Sequence, residues 1–243
     1  MHTFSIGESL RFGWETFKKR PAIFIGSAVI IAAISWFSGA IGGALDEGPA
    51  AALGSLVSVV ISMFVGMGTI AFYLKAHDNV NQLQIADLWH PRPFWKYVGA
   101  SILYALMVAA VVAPFLIAAA VVGVGALFSG DGTFGLAALI LVLLAIAAAL
   151  AVSSVFFFAM FAVIDRSLGP IEALKESARI TEGIRLKIFL FMLAAGAINI
   201  LGMLLLFVGL LVTMPLTSLA MAHAYRLREH SASEMAVSAS PSA

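Results

Sequence analysis

A stripe of small and weakly polar residues has the spacing in this chain best suited to chemistry. Its members are 3, 4, 4, 3 and 4 positions apart, so an α-helix places them on one face. They are Ser55, Ser58, Ser62, Gly66, Thr69 and Tyr73. Such a face could line a polar path for a solute, with Ser58 and Ser62 as contacts. Stripes of small residues in lipid are ordinarily helix-packing surfaces, and we favour packing.

A second polar position lies inside the long apolar run 188–225. Asn199 is flanked by Gly196 and Gly202, which would let a neighbouring backbone approach closely. It could bind a lipid headgroup or solute, and together with Ser58 and Thr213 it could bound a polar cavity. An interhelical hydrogen bond is the interpretation that we favour for Asn199.

The residue inventory argues against catalysis. Intramembrane hydrolysis usually needs a nucleophile with a base or a metal site, and the serines in the apolar runs have no nearby His or carboxylate. The five histidines show no metal-ligand spacing, and we expect them to be solvated. With no cysteine there is no thiolate nucleophile and no Cys-based metal site. We therefore expect a protein that is not an enzyme and has no cofactor.

Amino-acid composition indicates which kind of secondary structure contains these residues. Hydrophobic residues make up 62% of the 243 and charged residues 11%, with a mean hydropathy of +1.04. Such a chain cannot cover itself with polar surface, so its solvent is lipid. We predict an all-α integral membrane domain over residues 1–228 and a disordered tail over 229–243. Nucleic acid is not an expected partner.

Uncharged apolar runs predict the individual membrane spans. The first four are 22–45, 50–74, 97–128 and 134–164, each long enough to cross a hydrocarbon core. A cleaved signal peptide is the rival account of 22–45. The run 188–225 would reach roughly 57 Å as one helix, nearly twice the core thickness. We predict that it folds back near Gly209 into spans 188–206 and 210–225, with one broken or re-entrant helix as the alternative.

The placement of charge predicts orientation. All fourteen Lys and Arg residues fall within 11–20, 75–96, 166–187 and 226–228. Six spans put all four segments on the side of the N-terminus, while Asp46, Glu47 and Asp131 lie in the opposite loops. Because Lys and Arg accumulate in cytoplasmic loops, we predict that both termini are cytoplasmic. Asp165 and Arg166 then lie at the inner end of span four, where we predict a structural ion pair capping the next helix, with a switch as the alternative.

Each predicted hairpin follows an amphipathic segment on the cytoplasmic side. Before span one, Ser5 and Glu8 have capping-box spacing. A similar helix precedes span five at 170–185, and a shorter one precedes span three at 85–89. The first segment carries the predicted lipid contacts, two of them aromatic at the headgroup boundary and three basic against anionic headgroups. They are Trp14, Phe17, Lys18, Lys19 and Arg20.

Several of these segments resemble a known group of proteins. They are Gly169-Pro170-Ile171-Glu172-Ala173-Leu174-Lys175, Thr181-Glu182-Gly183, Gly209-Leu210-Leu211-Val212-Thr213 with Pro215, Ala224-Tyr225-Arg226, and the opening Gly13-Trp14 with Phe17 and Arg20-Pro21. The chain is similar in these to uncharacterised bacterial six-span families and to the membrane domain of some glycerophosphoryl diester phosphodiesterases. The resemblance implies three hairpins in a bacterial inner membrane. We expect this chain to lack the catalytic domain that some members carry.

Two functions follow from these patterns. The first is a non-catalytic protein of the bacterial cytoplasmic membrane that acts as an envelope or lipid-associated component, with membrane lipids, anionic ones included, as partners. The alternative is a small permease for lipid-like or neutral solutes. A closed, packed bundle would favour the first function, and a wide polar cavity would favour the second.

Overall fold

The computed structural model describes residues 5–44, 50–89, 93–129, 132–205 and 207–239. Within these ranges the chain is helical and has no strand. The α-helices are α1 (Ile6–Lys19), α2 (Pro21–Ala44), α3 (Ala50–Asp78), α4 (Phe94–Ser129), α5 (Gly132–Val155), α6 (Ala159–Arg166), α7 (Pro170–Ile180), α8 (Arg185–Leu204) and α9 (Leu210–Ala239). Two short 3-10 helices, Val80–Gln82 and Ile85–Leu88, lie in residues 79–89, the α3–α4 connector.

Of the residues that the structure describes, five stretches are long and apolar enough to cross a membrane. They are Pro21–Ile41, Ala51–Asp78, Phe94–Gly125, Gly132–Arg166 and Arg185–Leu204. In the apolar parts of the third and fourth, which contain α4 and α5, only 6% of the residues are buried. Their surfaces are therefore apolar and uncovered, which suits a hydrocarbon solvent. These helices support the predicted membrane protein, while six spans and their arrangement in hairpins stay predictions.

The helix that would supply a sixth span, α9, is among the most enclosed. It contacts α1, α2, α3, α7 and α8. Leu219, Ala220, Ala222 and Ala224 are fully buried, and the small side chains of the three alanines let the neighbours approach closely. Because α9 is covered by protein and ends in a polar segment, it has less need of a continuous apolar surface than α4 or α5.

The fourth apolar stretch contains a break that the sequence-based prediction of one span over 134–164 missed. α5 ends at Val155 and α6 begins at Ala159. The backbone groups freed there bond to α7. Ser177 Oγ lies 3.1 Å from the N–H of Phe158 and donates to the carbonyl oxygen of Val155 at 3.0 Å, and Thr181 Oγ1 also donates to Val155. Such side-chain partners make a helix break tolerable in an apolar setting.

The α3–α4 connector corrects the prediction of a third amphipathic helix at 85–89. The segment forms a single 3-10 turn and lies on α3. A Cβ atom at Gly68 would overlap the carbonyl oxygen of Leu88, so glycine is needed for this contact. The Arg20 guanidinium donates to the carbonyl oxygens of Val80, Asn81 and Leu83, at 2.8 to 3.2 Å. Tertiary contacts thus provide hydrogen-bond partners for carbonyl oxygens that the irregular connector cannot pair within itself.

Two other local predictions differ from the structure. Ser5 is the N-cap of α1, but its side chain makes no cap hydrogen bond, so the capping box with Glu8 does not form. The tail predicted to be disordered from residue 229 continues α9 as far as Ala239, and 240–243 lie outside the described residues. An existing helix extends without a new nucleation cost, which favours this continuation. The outer-loop residues Asp46, Glu47 and Asp131 also lie outside the described residues.

Candidate functional site

The first helix packs on the enclosed helix α9. Its buried face consists of Ser9, Gly13, Thr16 and Phe17. A Cβ atom at Gly13 would lie 2.5 Å from the carbonyl oxygen of Leu216 in α9, so the two backbones are in close contact. α1 therefore has its own protein as its main partner along this face.

Because α1 packs on α9, two of the five predicted lipid contacts of the first segment are made within the protein and three remain exposed. Phe17 is 5% exposed and stacks on Phe24 with ring centroids 5.9 Å apart, so the prediction that it reaches the headgroups is wrong. Arg20 bonds to the α3–α4 connector, which corrects its assignment to anionic headgroups. Trp14, Lys18 and Lys19 remain exposed, with the Lys18 ammonium 5.8 Å from the Trp14 ring centroid. These three stay available to a membrane surface.

The stripe of small and weakly polar residues lies on α3, and its members contact different neighbouring helices. Ser58 and Ser38 form a reciprocal pair between α3 and α2, in which each hydroxyl donates to the other residue's carbonyl oxygen, at 2.7 and 3.3 Å. Gly66 faces the Tyr97 hydroxyl of α4, and Tyr73 is buried. Ser62 is exposed on α3. The stripe therefore does not line one continuous path, because Ser58 packs against α2 and Gly66 against α4 while Ser62 between them is exposed.

Asn199 bonds to the neighbouring helix, as the packing interpretation expects. Its Nδ2 donates to Oγ1 of Thr217 at 3.3 Å, which links α8 to α9. One turn away Gly202 and Gly209 touch, since a Cβ on Gly209 would lie 2.5 Å from the Gly202 carbonyl oxygen. Oδ1 of Asn199 and Oγ1 of Thr213 are buried and have no hydrogen-bond partner among the described residues. The two candidate residues thus lie on neighbouring helices, and each keeps an unused polar atom.

We expect Asn199→Ala to lower the free energy of unfolding in detergent by about 1 kcal/mol or less, because interhelical hydrogen bonds in lipid average about 0.6 kcal/mol. Thermal unfolding of the purified protein measures this change. Thr217→Val is the matched control, since it removes the other side of the same bond. If the Asn199 variant keeps its stability and expression but loses its cellular function, the residue belongs to a binding site.

A cluster of charged side chains centres on Arg226 in α9. Its guanidinium lies 2.6 Å from a carboxylate oxygen of Asp78, 2.8 Å from one of Asp165 and 3.0 Å from one of Glu229. Burial alone would lower the pKa of Arg226, but the hydrogen bonds that it donates to Asp78 and the charge of Asp165 raise it overall. The Tyr225 hydroxyl lies 3.1 Å from a carboxylate oxygen of Asp165. Arg226 thus joins the ends of α3 and α6 to α9.

A second group of ion pairs joins α6 to α7. Arg166 contacts Glu176 at 2.9 Å, and Arg179 contacts the same carboxylate at 2.7 Å. The hydrogen bond from Arg179 and the charge of Arg166 hold the pKa of Glu176 below its usual value. The pair predicted at Asp165 and Arg166 therefore forms with two different helices. Arg166 reaches the following helix as predicted, while Asp165 reaches α9.

Two histidines are also drawn into this end of the bundle, which corrects the expectation that they are solvated. Nε2 of His77 lies 3.1 Å from Nδ1 of His223, so α3 and α9 meet there. The Phe12 ring of α1 stacks on His223 with centroids 4.1 Å apart. Among the described residues, no group of three or more His, Asp or Glu side chains could hold a metal ion.

Comparison with known proteins assigns the chain to a family. A family model described as a domain of unknown function, DUF7847, matches residues 4–241. This chain belongs to the DUF7847 family. No curated protein and no solved structure matches it. The resemblance to the membrane domain of glycerophosphoryl diester phosphodiesterases stays a prediction.

The main arrangement that sequence reasoning missed in this DUF7847 chain is the Arg226 cluster. Its carboxylates come from positions 78, 165 and 229, which are far apart in sequence. A usable signal was present, because Asp78, Asp165 and Arg226 each lie at or beyond the end of a predicted span on the same side. Charges on one side of a membrane occupy a thin layer, so unlike charges at span ends are expected to meet.

Proposed function

We propose that this chain is an integral protein of the bacterial cytoplasmic membrane with six spans in three hairpins and both termini in the cytoplasm. The contacts among its four basic segments support this topology. Arg20 bonds to the connector, Lys96 to the Ser167 carbonyl oxygen at 2.6 Å, and Arg228 to that of Ile180 at 2.9 Å. All four segments therefore meet at one end of the bundle, as the concentration of Lys and Arg on the cytoplasmic side requires.

We expect reporters fused after residues 48, 131 and 209 to report outside, and reporters fused after 80, 180 and 230 to report inside. The physical reason is that Lys and Arg near span ends resist translocation. Alkaline phosphatase and green fluorescent protein fusions at matched sites measure the two sides, each serving as the control for the other. An outside signal at residue 230 would contradict six spans.

We further propose that the protein acts as a non-catalytic envelope or lipid-associated component. The observation that carries this proposal is the use of polar side chains inside the apolar helices. Ser38 bonds to Ser58, Tyr104 to Ser153 at 2.8 Å, and Asn199 to Thr217, each across two helices. Polar groups used in this way stabilise a packed bundle and leave few contacts for a translocated solute.

The permease remains the second candidate because of two buried atoms. Within the part of the chain that the structure describes, Oδ1 of Asn199 and Oγ1 of Thr213 have no hydrogen-bond partner, which is costly in an apolar setting unless something else satisfies them. A neutral solute with hydroxyl groups could do so. This pair of atoms is the specific feature that a permease would use.

Reconstitution separates the two candidates. Under the leading proposal, vesicles that contain the protein should take up glycerol and other neutral solutes no faster than protein-free vesicles. The permease predicts faster uptake that Asn199→Ala and Thr213→Val both abolish. Ile200→Ala, at an exposed position on the same helix as Asn199, serves as the matched control variant. Uptake that depends on Asn199 would overturn the leading proposal.

A further inference from the structure

An apolar cavity of about 600 Å³ lies between α2, α3 and the α3–α4 connector. Aliphatic and aromatic side chains line it, among them Ile30 and Ile34 of α2, Val60 and Phe64 of α3, and Ile85 and Trp89 of the connector. Its volume is within the range of about 300–1,000 Å³ that is usual for small-ligand sites. The cavity is separate from the Asn199 pair and from the Arg226 cluster.

The connector that forms one wall is fixed in place by polar contacts. The Lys75 ammonium lies 2.6 Å from a carboxylate oxygen of Asp87, and the N–H of Gln84 donates to the other oxygen of Asp87 at 2.8 Å. The Arg20 bonds hold the preceding residues, and the Leu88 backbone rests on Gly68. A wall held at this many points is preformed, so a ligand would not have to order it on binding.

The α3–α4 connector directs its apolar side chains toward α2 and α3. Ile85 is 43% exposed and Trp89 is 76% exposed, although the backbone between them is anchored. A short polar connector could join α3 to α4 without presenting a tryptophan and an isoleucine in this direction. The anchored backbone therefore holds exposed apolar groups toward a space that itself has apolar walls.

The surroundings of the cavity indicate which kind of ligand fits it. α2 and α3 are both among the helices long and apolar enough to cross a membrane, so hydrocarbon is the medium around them. The nearby Lys75 and Asp87 pair with each other, which leaves the cavity walls to select by apolar contact. We propose that the cavity between α2, α3 and the connector binds one acyl chain of a membrane phospholipid. This inference rests on the membrane placement proposed above and gives the lipid association a site.

Photo-crosslinking in phosphatidylcholine vesicles tests the proposal. The probe is a phosphatidylcholine with a diazirine in the middle of one acyl chain. We expect the connector residues 85–89 to be labelled several-fold more strongly than the exposed residues Leu143 and Ile146 of α5, which report ordinary contact with bulk lipid. Equal labelling of the two regions would mean that only bulk lipid touches the cavity, and would overturn the site.

A filling substitution tests the same site independently. Ala86 lines the cavity and is exposed, so Ala86→Phe should occupy its space and reduce connector labelling several-fold. Ala147→Phe, which adds the same volume at an exposed position of α5, should leave connector labelling unchanged. Unchanged labelling in a folded Ala86→Phe variant would overturn the proposal, and if that variant fails to fold, the wild-type comparison decides.

The same experiment distinguishes this inference from the membrane placement beneath it. If α5 is labelled and the connector is not, the membrane placement stands and the acyl-chain site fails. If neither region is labelled, the membrane placement fails as well. A second copy of the chain seated in the cavity would protect residues 85–89 and produce crosslinked dimers, an outcome that also overturns the proposal.

Discussion

Replacing Arg226 by Met should cause one of the largest stability losses of any single substitution outside the apolar core. The change leaves the carboxylates of Asp78, Asp165 and Glu229 facing one another without their shared cation. Removing one partner of a buried ion pair costs about 3–5 kcal/mol. Because Asp78 is half exposed and can return to water, we expect a loss at the lower end of that range.

Thermal or denaturant unfolding in detergent, followed by tryptophan fluorescence, measures the loss. Arg226→Lys should give an intermediate loss, because an ammonium keeps the charge but lacks the planar fork that reaches several carboxylates. Arg11→Met is the matched control, since the Arg11–Glu15 pair is fully on the surface. An Arg226→Met loss no larger than that of Arg11→Met would show that the cluster does not hold the helix ends together.

Replacing Gly13 by Ala should separate α1 from α9. The added methyl group would lie 2.5 Å from the Leu216 carbonyl oxygen and 3.3 Å from the Ala220 nitrogen, and both are backbone atoms of an enclosed helix. Neither atom can move aside as a flexible side chain would. Overpacking of this kind usually costs about 1–3 kcal/mol, and we expect the upper half of that range here.

Gly7 in the same helix provides the control. A Cβ at Gly7 meets no atom of the described ranges within 4 Å, so Gly7→Ala should be neutral or slightly stabilising, because alanine favours the helix. The measurement is unfolding in detergent together with protease cleavage of α1, which should become faster only in the Gly13 variant. Equal stability of the two variants would mean that α1 lies free on the membrane surface, as the sequence alone suggested.

α1 shows what the spacing of apolar and charged residues can predict and what it cannot. The spacing of apolar and charged residues predicted a helix, and α1 forms over Ile6–Lys19, but of its covered residues Ser9, Gly13, Thr16 and Phe17 only Phe17 was among the predicted apolar contacts. An apolar helix face could meet lipid or protein, and hydropathy does not distinguish these because both are apolar. Gly13 was the discriminating residue, since a small residue on a helix face is needed when another backbone approaches closely but not when lipid does.

The break between α5 and α6 escaped prediction for a related reason. Residues 134–164 form a continuous apolar run, and near the break, over residues 150–160, it contains no proline or glycine to signal a stop. The break is stabilised by Ser177 and Thr181, which lie more than 18 residues away in α7. Side chains that satisfy a freed carbonyl oxygen from another helix leave no mark in the sequence of the broken helix.

The sequence by itself determined the solvent of this protein, the positions of its apolar helices and the accumulation of its basic residues in four segments. These are sums over neighbouring residues, and hydrocarbon imposes them on any chain that crosses it. Only the tertiary structure decided which polar groups meet. Arg226 with Asp78, Arg20 with the connector, and Ser177 with the α5 break join residues far apart in the chain. Their pairing depends on how the helices pack, and the periodicity of a single segment contains no record of it.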